Sequence, residues 1–224
     1  MPCTCSNSND PARGRISEEG HPMRITILGT GQVGITLAGG LIRAGHDVVF
    51  GSRTPDAKEL PAPALEPAAA IDGADLVVSA LQASVSLEVL PTLADALDGT
   101  VLIDLGNAVT PAFELMYPNS SLGEKLQQAL PRTRVVKSLN SLALVTAVDP
   151  GALASTSNVF LSGDDESAKQ LVSGVLADLG WAPAQQIDLG GIATAKGPEH
   201  WFVLYAILMM QRGPSFNIGI IPAA

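Results

Sequence analysis

A glycine cluster with the spacing Gly-x-Gly-x-x-Gly, at residues 29–34, constrains the fold of this chain more than any other feature. Residues 24–28 before it form a β-rich run without a turn residue, and residues 32–44 carry apolar side chains at helical spacing. Residues 47–50 form a second β-rich run. A strand, a glycine turn, a helix and a second strand within about 30 residues predict a βαβ unit.

The same alternation continues along the chain and predicts a parallel sheet that helices cover on both faces. Residues 60–70, which are rich in proline and alanine, should form an irregular crossover in place of a helix. Pro91 should kink the helix around it or start its main part. We expect further strands at residues 74–80, 100–105, 134–137, 158–161 and 184–187, and further helices at residues 85–97, 122–130, 164–179 and 192–211.

These patterns predict an α/β fold, a Rossmann-type doubly wound parallel sheet with a small C-terminal extension. We expect a disordered N-terminal tail at residues 1–22, a Rossmann domain at residues 23–162 and a small α/β extension at residues 163–224 that ends in an apolar helix. Both cysteines, Cys3 and Cys5, lie in the tail. Two thiolates are too few for a closed zinc site, so we expect an inert tail and no bound metal.

Charge and hydropathy exclude several classes of partner. The formal net charge is −9, which repels a phosphate backbone and makes nucleic acid an unsuitable partner. The longest apolar run, residues 201–210, is about half of what spans a bilayer, so no membrane segment is expected. The tail lacks the apolar core of a secretory signal and the remaining chain has no cysteine, so the expected compartment is the cytoplasm.

The glycine cluster has the context of a dinucleotide-binding loop, because a strand precedes it and a helix begins inside it. Gly29 permits the tight turn, Gly31 lets the backbone approach a diphosphate, and Gly34 lets the helix pack closely on the strand. The helix N-terminus then presents free N–H groups to the phosphates. A glycine-rich turn without a ligand is the alternative. The residues expected to bind the cofactor here are Gly29, Thr30, Gly31, Gln32, Val33 and Gly34.

The residues after the second strand distinguish between the two nicotinamide dinucleotides. NAD-binding proteins usually carry Asp or Glu about 20 residues beyond the glycines, where the carboxylate binds the ribose 2′-hydroxyl. This chain has no acid there, and Arg53 offers a fork of donors that fits a 2′-phosphate. We therefore expect NADP(H) as the cofactor, with Ser52, Arg53, Thr54 and Lys58 near its 2′-phosphate.

Together with the loop, Ser52-Arg53, Gly163-Asp164-Asp165 and Gly190-Gly191 resemble the F420H2:NADP+ oxidoreductase-like family. That family of NADPH-dependent F420 reductases is related to the soluble NADPH-binding domain of the STEAP-type metalloreductases. The resemblance covers residues 23 to the end of the chain. It implies a Rossmann domain with a small C-terminal extension and direct hydride exchange between NADP(H) and a deazaflavin or flavin.

The resemblance also implies roles for individual residues. Thr30, Ser52 and Arg53 match family positions at the 2′-phosphate, and residues 137–141 match the segment at the floor of the redox site. Some deazaflavin enzymes carry a tryptophan-containing loop after the third strand, where this chain has Ala-Leu-Gln-Ala-Ser at residues 80–84. The residues therefore leave two alternatives, F420 and FMN, for the identity of the second cofactor.

Ligands of a doubly wound sheet lie beyond the carboxyl ends of its strands. Asn107 and Asn140 could hydrogen-bond the carboxamide or an acceptor ring, or could simply form turns, which asparagine favours. Asn107, Ser138, Leu139 and Asn140 are our candidates for the acceptor pocket. The residues that follow the third, fourth and fifth predicted strands, and that should line the nicotinamide end, are Ala80, Leu81, Gln82, Gly106, Asn107, Ala108, Ser138, Leu139 and Asn140.

No acid or base stands out near these strand ends. His46 lies in a helix–strand turn away from them, His21 lies in the tail, and His200 is expected to be a packed or surface residue of the apolar helix. Asp104, the carboxylate at a strand end, is more typical of a structural hydrogen-bond acceptor. Reduction of a ketone or imine usually needs a proton donor, whereas hydride passage between two cofactors mainly needs orientation.

The leading hypothesis is therefore an NADP(H)-dependent oxidoreductase that transfers hydride directly to or from F420 or a flavin. The alternatives are an NADPH-dependent imine or carbonyl reductase with an unrecognised donor, and a non-catalytic NADP(H)-binding sensor. Only about 60 residues follow Gly163, too few for the large helical domain of many NADP-dependent dehydrogenases. Residues 201–210 are apolar on nearly every side, so their helix must be buried. We expect it to form a homodimer interface, or else the wall of the acceptor pocket.

Overall fold

The computed structural model describes residues 22–221 and 223. Its main sheet has six parallel strands in the spatial order third, second, first, fourth, fifth, sixth, which is the order of a dinucleotide-binding Rossmann sheet. This confirms the predicted fold class. The predicted tail lies outside the described residues except for residue 22, as do Cys3, Cys5 and His21. The strands are β1 (Arg24–Leu28), β2 (Asp47–Gly51), β3 (Ala64–Leu65), β4 (Leu76–Ser79), β5 (Val101–Asp104) and β6 (Arg134–Lys137).

Helices cover both faces of this sheet, as the near-continuous burial of β4 and β5 requires. No helix within residues 22–221 combines the length and the apolarity needed to cross a bilayer. The helices are α1 (Gln32–Arg43), α2 (Pro67–Ile71), α3 (Ala83–Val89), α4 (Leu122–Ala129), α5 (Leu144–Val148), α6 (Glu166–Asp178) and α7 (Lys196–Arg212).

The predicted strands at residues 158–161 and 184–187 form outside the main sheet. They correspond to β7 (Val159–Leu161) and β8 (Gln186–Asp188), which pair with each other in parallel. A single antiparallel bridge between Lys137 and Ser162 joins this small sheet to β6. Helix α7 follows β8 along the chain, and the bridge that attaches the small sheet to the end of β6 brings α7 to the carboxyl edge of the main sheet.

Two local predictions were wrong. Residues 60–70 are not an irregular crossover, because they contain the edge strand β3 and the short helix α2. Pro67 occupies the first helical turn, where its missing N–H costs nothing, and the alanines after it are strong helix formers. The helix predicted at residues 85–97 is instead α3, which begins at Ala83 and ends at Val89, followed by a 3-10 turn over Leu90–Leu93. Pro91 lacks the N–H that a continuous α-helix would need.

Candidate functional site

The loop between β1 and α1 contains three glycines, and the structure gives two different reasons for a glycine at these positions. Gly29 has φ +119°, and a Cβ on it would lie 2.7 Å from the Ala80 carbonyl oxygen. A Cβ on Gly34 would lie 2.2 Å from the Gly29 carbonyl oxygen. Both positions therefore need glycine for folding alone.

Gly31 is different, because nothing in the fold requires a glycine there. Its φ is −78° and its ψ is −179°, an extended conformation open to any residue, and a Cβ on it would meet no atom of the described residues within 4 Å. It is the N-cap of α1, whose first turn holds no acidic residue and receives no side-chain cap from the described part of the chain. The open space in front of Gly31 and the uncapped N–H groups form a cradle that fits a diphosphate.

The residues predicted at the 2′-phosphate lie beyond the end of β2, beside this loop. Ser52 is half-buried, and its Oγ accepts a hydrogen bond from the Thr54 N–H at 3.1 Å. Arg53 is exposed. Lys58 reaches back across the cleft and donates a hydrogen bond from Nζ to the Thr30 carbonyl. Lys58 therefore lies against the glycine loop, and Arg53 follows the end of β2 with its guanidinium open to solvent.

A cavity of about 940 Å³ lies beyond the carboxyl ends of β4, β5 and β6. None of its lining residues within the described chain is Asp, Glu, Lys, Arg or His. Seven of the nine residues predicted at the nicotinamide end line it, namely Ala80, Leu81, Gln82, Gly106, Asn107, Leu139 and Asn140, as does Val33 of the glycine loop. Ala108 and Ser138 instead lie behind the wall, and the Ser138 hydroxyl donates to the Phe160 carbonyl at 2.8 Å.

Asn107 and Asn140 interlock across the ends of β5 and β6. The Asn107 Nδ2 donates to the Asn140 carbonyl at 2.6 Å, and the Asn140 Nδ2 donates to the Asn107 Oδ1 at 2.9 Å. Leu139, just before Asn140, has φ +58°, an unfavourable conformation for a branched side chain that is seen mostly where a site requires it. These two hydrogen bonds fix the orientation of both side chains. Asn140 lies on the cavity wall, and its Oδ1 takes part in neither bond.

A buried ion cluster that the sequence analysis missed supports this corner of the cavity. Lys137 at the end of β6 is fully buried, and its Nζ lies 2.8 Å from both the Asp104 Oδ2 and the Glu199 Oε1. The same Nζ donates to the Gly106 carbonyl, next to Asn107. Glu199 of α7 also accepts the N–H groups of Leu122 and Gly123 at the start of α4. The cluster therefore fixes α7 and α4 against the strand ends.

Helix α7 supplies the far wall of the cavity through Phe202, Tyr205 and Met209. Tyr205 is 1% exposed, and burial raises the pKa of its phenol, so the hydroxyl is protonated at physiological pH. Its Oη has no hydrogen-bond partner among the described residues. Tyr205 was predicted only as part of an apolar helix, and no sequence signal sets its hydroxyl apart.

His46 and His200, the two histidines that the structure describes, lie where the sequence predicted. His46 is buried at the opposite edge of the sheet, where its Nδ1 accepts the Met23 N–H and its Nε2 lies 3.3 Å from the Asp178 Oδ2. His200 is half-buried on α7 and does not line the cavity. Within the described part of the chain, no three His, Cys, Asp or Glu side chains cluster closely enough to hold a metal ion.

Comparison with known proteins gives this geometry a context. A family model described as NADP oxidoreductase, coenzyme F420-dependent, matches residues 24–108. A solved structure of a candidate F420-dependent NADP reductase from Arthrobacter sp. FB24 has 36% sequence identity and a TM-score of 0.83, covering 89% of this chain and 100% of that one.

Two curated relatives are much longer than this chain. Metalloreductase STEAP3 of Rattus norvegicus is 30% identical over 180 residues, covering 79% of this chain and 36% of the relative. Pyrroline-5-carboxylate reductase of Mycobacterium tuberculosis is 28% identical over 204 residues, covering 83% of this chain and 64% of the relative. The chain thus spans between about a third and two thirds of these relatives.

Proposed function

Because the chain belongs to the family of F420-dependent NADP oxidoreductases, we propose that it transfers a hydride directly between NADP(H) and a deazaflavin, F420, or a flavin such as FMN. The observation that carries this proposal is the cavity at the strand ends, which is apolar, uncharged and about 940 Å³ in volume. A cavity of this size is at the upper end of small-molecule sites, so it can hold a nicotinamide and a second ring together.

NADP(H) fits the residues at the other end of the cleft. The cradle in front of Gly31 would receive the diphosphate, and Arg53 and Lys58 would receive the 2′-phosphate. When bound, the dinucleotide supplies the hydride. The chain would contribute orientation, because Asn140 would offer an amide oxygen to the carboxamide while Leu139 and Val33 would form an apolar floor and exclude water.

The test is an absorbance assay in which the protein and NADPH are mixed with F420, and separately with FMN. We expect oxidation of NADPH with at least one of them. Absence of oxidation with either would contradict the proposal. Tight NADPH binding without oxidation would then favour the sensor hypothesis, and a cyclic imine added as a third acceptor tests the reductase alternative that the similarity to pyrroline-5-carboxylate reductase favours.

Replacement of Arg53 by alanine should weaken NADPH binding by about 30-fold, which is ~2 kcal/mol, and leave NADH binding within twofold. The reason is that the guanidinium would contact only the 2′-phosphate, which NADH lacks. Fluorescence titration of both nucleotides measures the two dissociation constants. Arg132→Ala is the matched control, since Arg132 is exposed and pairs with Asp95 and Asp98 away from the loop. A protein that binds NADH more tightly than NADPH would contradict the assignment.

We also propose that two copies of the chain associate through α7. Its outward face exposes three large apolar side chains, Leu204, Ile207 and Met210, the last of them 64% exposed. Met210→Asp should therefore halve the mass measured by light scattering. Ile42→Asp, at an exposed apolar residue of α1, is the control and should leave the mass unchanged. A monomeric wild-type protein would contradict this proposal.

A further inference from the structure

Tyr205 is the one titratable residue among the described residues that line the acceptor cavity. Its ring is held between Phe202, at 6.2 Å between ring centroids, and Phe216, at 4.8 Å. The backbone around it is an unbroken α-helix. The position of the phenol is therefore fixed by packing and does not depend on the hydroxyl.

The hydroxyl itself has no stabilising polar contact within residues 22–221. Its Oη is buried and makes no hydrogen bond to any described residue. A buried, unpaired hydroxyl lowers stability, and most such groups in proteins find a partner. A phenylalanine would fill the same space between Phe202 and Phe216 without that cost, so packing gives no reason for the hydroxyl.

We propose that the Tyr205 hydroxyl is a catalytic hydrogen-bond and proton donor to the molecule that receives the hydride. This inference rests on the proposed function and extends it, because it assigns the acceptor a heteroatom facing α7. The absence of charged residues among the described cavity lining further indicates that the part of the acceptor inside the cavity is an uncharged ring.

The C4–H bond of the dihydronicotinamide breaks with its electron pair, and a C–H bond on a deazaflavin, or an N–H bond on a flavin, forms. A heteroatom of the acceptor ring gains negative charge, and Tyr205 donates its proton to that atom. Water then returns a proton to the tyrosinate, so that NADPH, the acceptor and one proton give NADP+ and the reduced acceptor. The donor stabilises charge only as it develops, which is where it lowers the barrier.

The hydroxyl has almost no exposed area in this structure, so a bound hydride acceptor can contact it only after the cavity wall formed by α7 rearranges. Met209 lines the same cavity one turn further along α7 and is 36% exposed. Its flexible, unbranched side chain can change rotamer at little cost.

The experiment compares Tyr205→Phe with wild type and with Tyr117→Phe. Tyr117 is the other tyrosine of the chain and does not line the cavity, which makes it a matched control. We expect Tyr205→Phe to lower kcat with F420 or FMN by about 100-fold while the NADPH dissociation constant stays within twofold. The melting temperature without ligands should rise by roughly 2–4 °C, because an unpaired buried hydroxyl has been removed.

A second readout separates catalysis from packing. With NADPH deuterated at C4, the isotope effect on kcat should increase in Tyr205→Phe, because hydride transfer becomes slower than the other steps. Turnover of Tyr205→Phe within twofold of wild type would overturn the inference. If the wild-type protein oxidises NADPH with neither F420 nor FMN, the proposed function fails, and this inference fails with it. That outcome is seen in the wild-type assay, before any variant is made.

Discussion

Replacement of Lys137 by methionine should destabilise the protein by about 3–5 kcal/mol, the largest stability loss that we expect from a single substitution in this chain. Lys137 is fully buried between Asp104, which has no exposed side-chain area, and Glu199, whose side chain is 4% exposed. Methionine preserves the volume but leaves two carboxylates without a cation in a dry environment. Thermal unfolding followed by circular dichroism should show a melting temperature lower by about 10 °C.

Lys169→Met is the matched control for this prediction. Lys169 lies in α6 and pairs with Asp188 at 2.6 Å and Glu166 at 3.1 Å, but these partners are 47% and 68% exposed. Water can solvate them once the cation is gone, so the loss should be about 1 kcal/mol. Equal losses in the two variants would contradict the idea that the Lys137 cluster is a dry, mutually dependent unit.

The ion cluster also connects stability to the site. Lys137 contacts the Gly106 carbonyl, and Gly106 precedes Asn107, the partner of Asn140. Glu199 belongs to the same helix as Tyr205, less than two turns away. The strand ends that would hold the nicotinamide and the helix that would face the acceptor are therefore joined through one ammonium group.

Much of the fold could be predicted from the sequence, because the local pattern of apolar and turn residues agrees with the strands and helices of the folded chain. The strand at residues 134–137 has the predicted bounds, and β1, β2, β4 and β5 lie within a residue or two of prediction, because each is a short apolar run bounded by turn residues. The prediction at residues 60–70 was wrong because a proline-rich segment can still contain a helix when a proline opens it, as Pro67 opens α2. The position of β7 outside the main sheet depends on pairing between distant segments, which periodicity does not encode.

The missed parts of the site are those that depend on tertiary contacts. A lysine at the end of a doubly buried strand predicts a nearby carboxylate, since lysine is almost never buried unpaired. Asp104 is the register partner of Lys137 on β5, so this ion pair was predictable from the sequence. Glu199 comes from α7, more than 60 residues further on, and no local pattern links it to Lys137. The isolation of the Tyr205 hydroxyl is likewise visible only in three dimensions.

Replacement of Gly31 by alanine should weaken NADPH binding by at least about 30-fold, which is ~2 kcal/mol, while the stability of the ligand-free protein changes by less than about 0.5 kcal/mol. The extended backbone of Gly31 suits alanine, and its Cβ would enter open space. That space is where the diphosphate must approach the N-terminus of α1, so the methyl group would hold the phosphates away from the N–H groups. Isothermal titration with NADPH and thermal unfolding of the ligand-free variant measure the two effects separately.

Gly39→Ala, in the same helix, distinguishes a lost contact from a general effect of alanine in α1. Its Cβ would lie 3.5 Å from the Arg43 Nη1, an ordinary contact with the end of a flexible side chain. This variant should therefore gain about 0.5–1 kcal/mol from helix propensity and bind NADPH as wild type does. If Gly31→Ala also bound NADPH normally, the loop would be a glycine-rich turn without a diphosphate ligand. The proposed function would then lose its cofactor, because Gly31 is the one glycine of the motif whose conformation and packing leave a ligand as the reason for it.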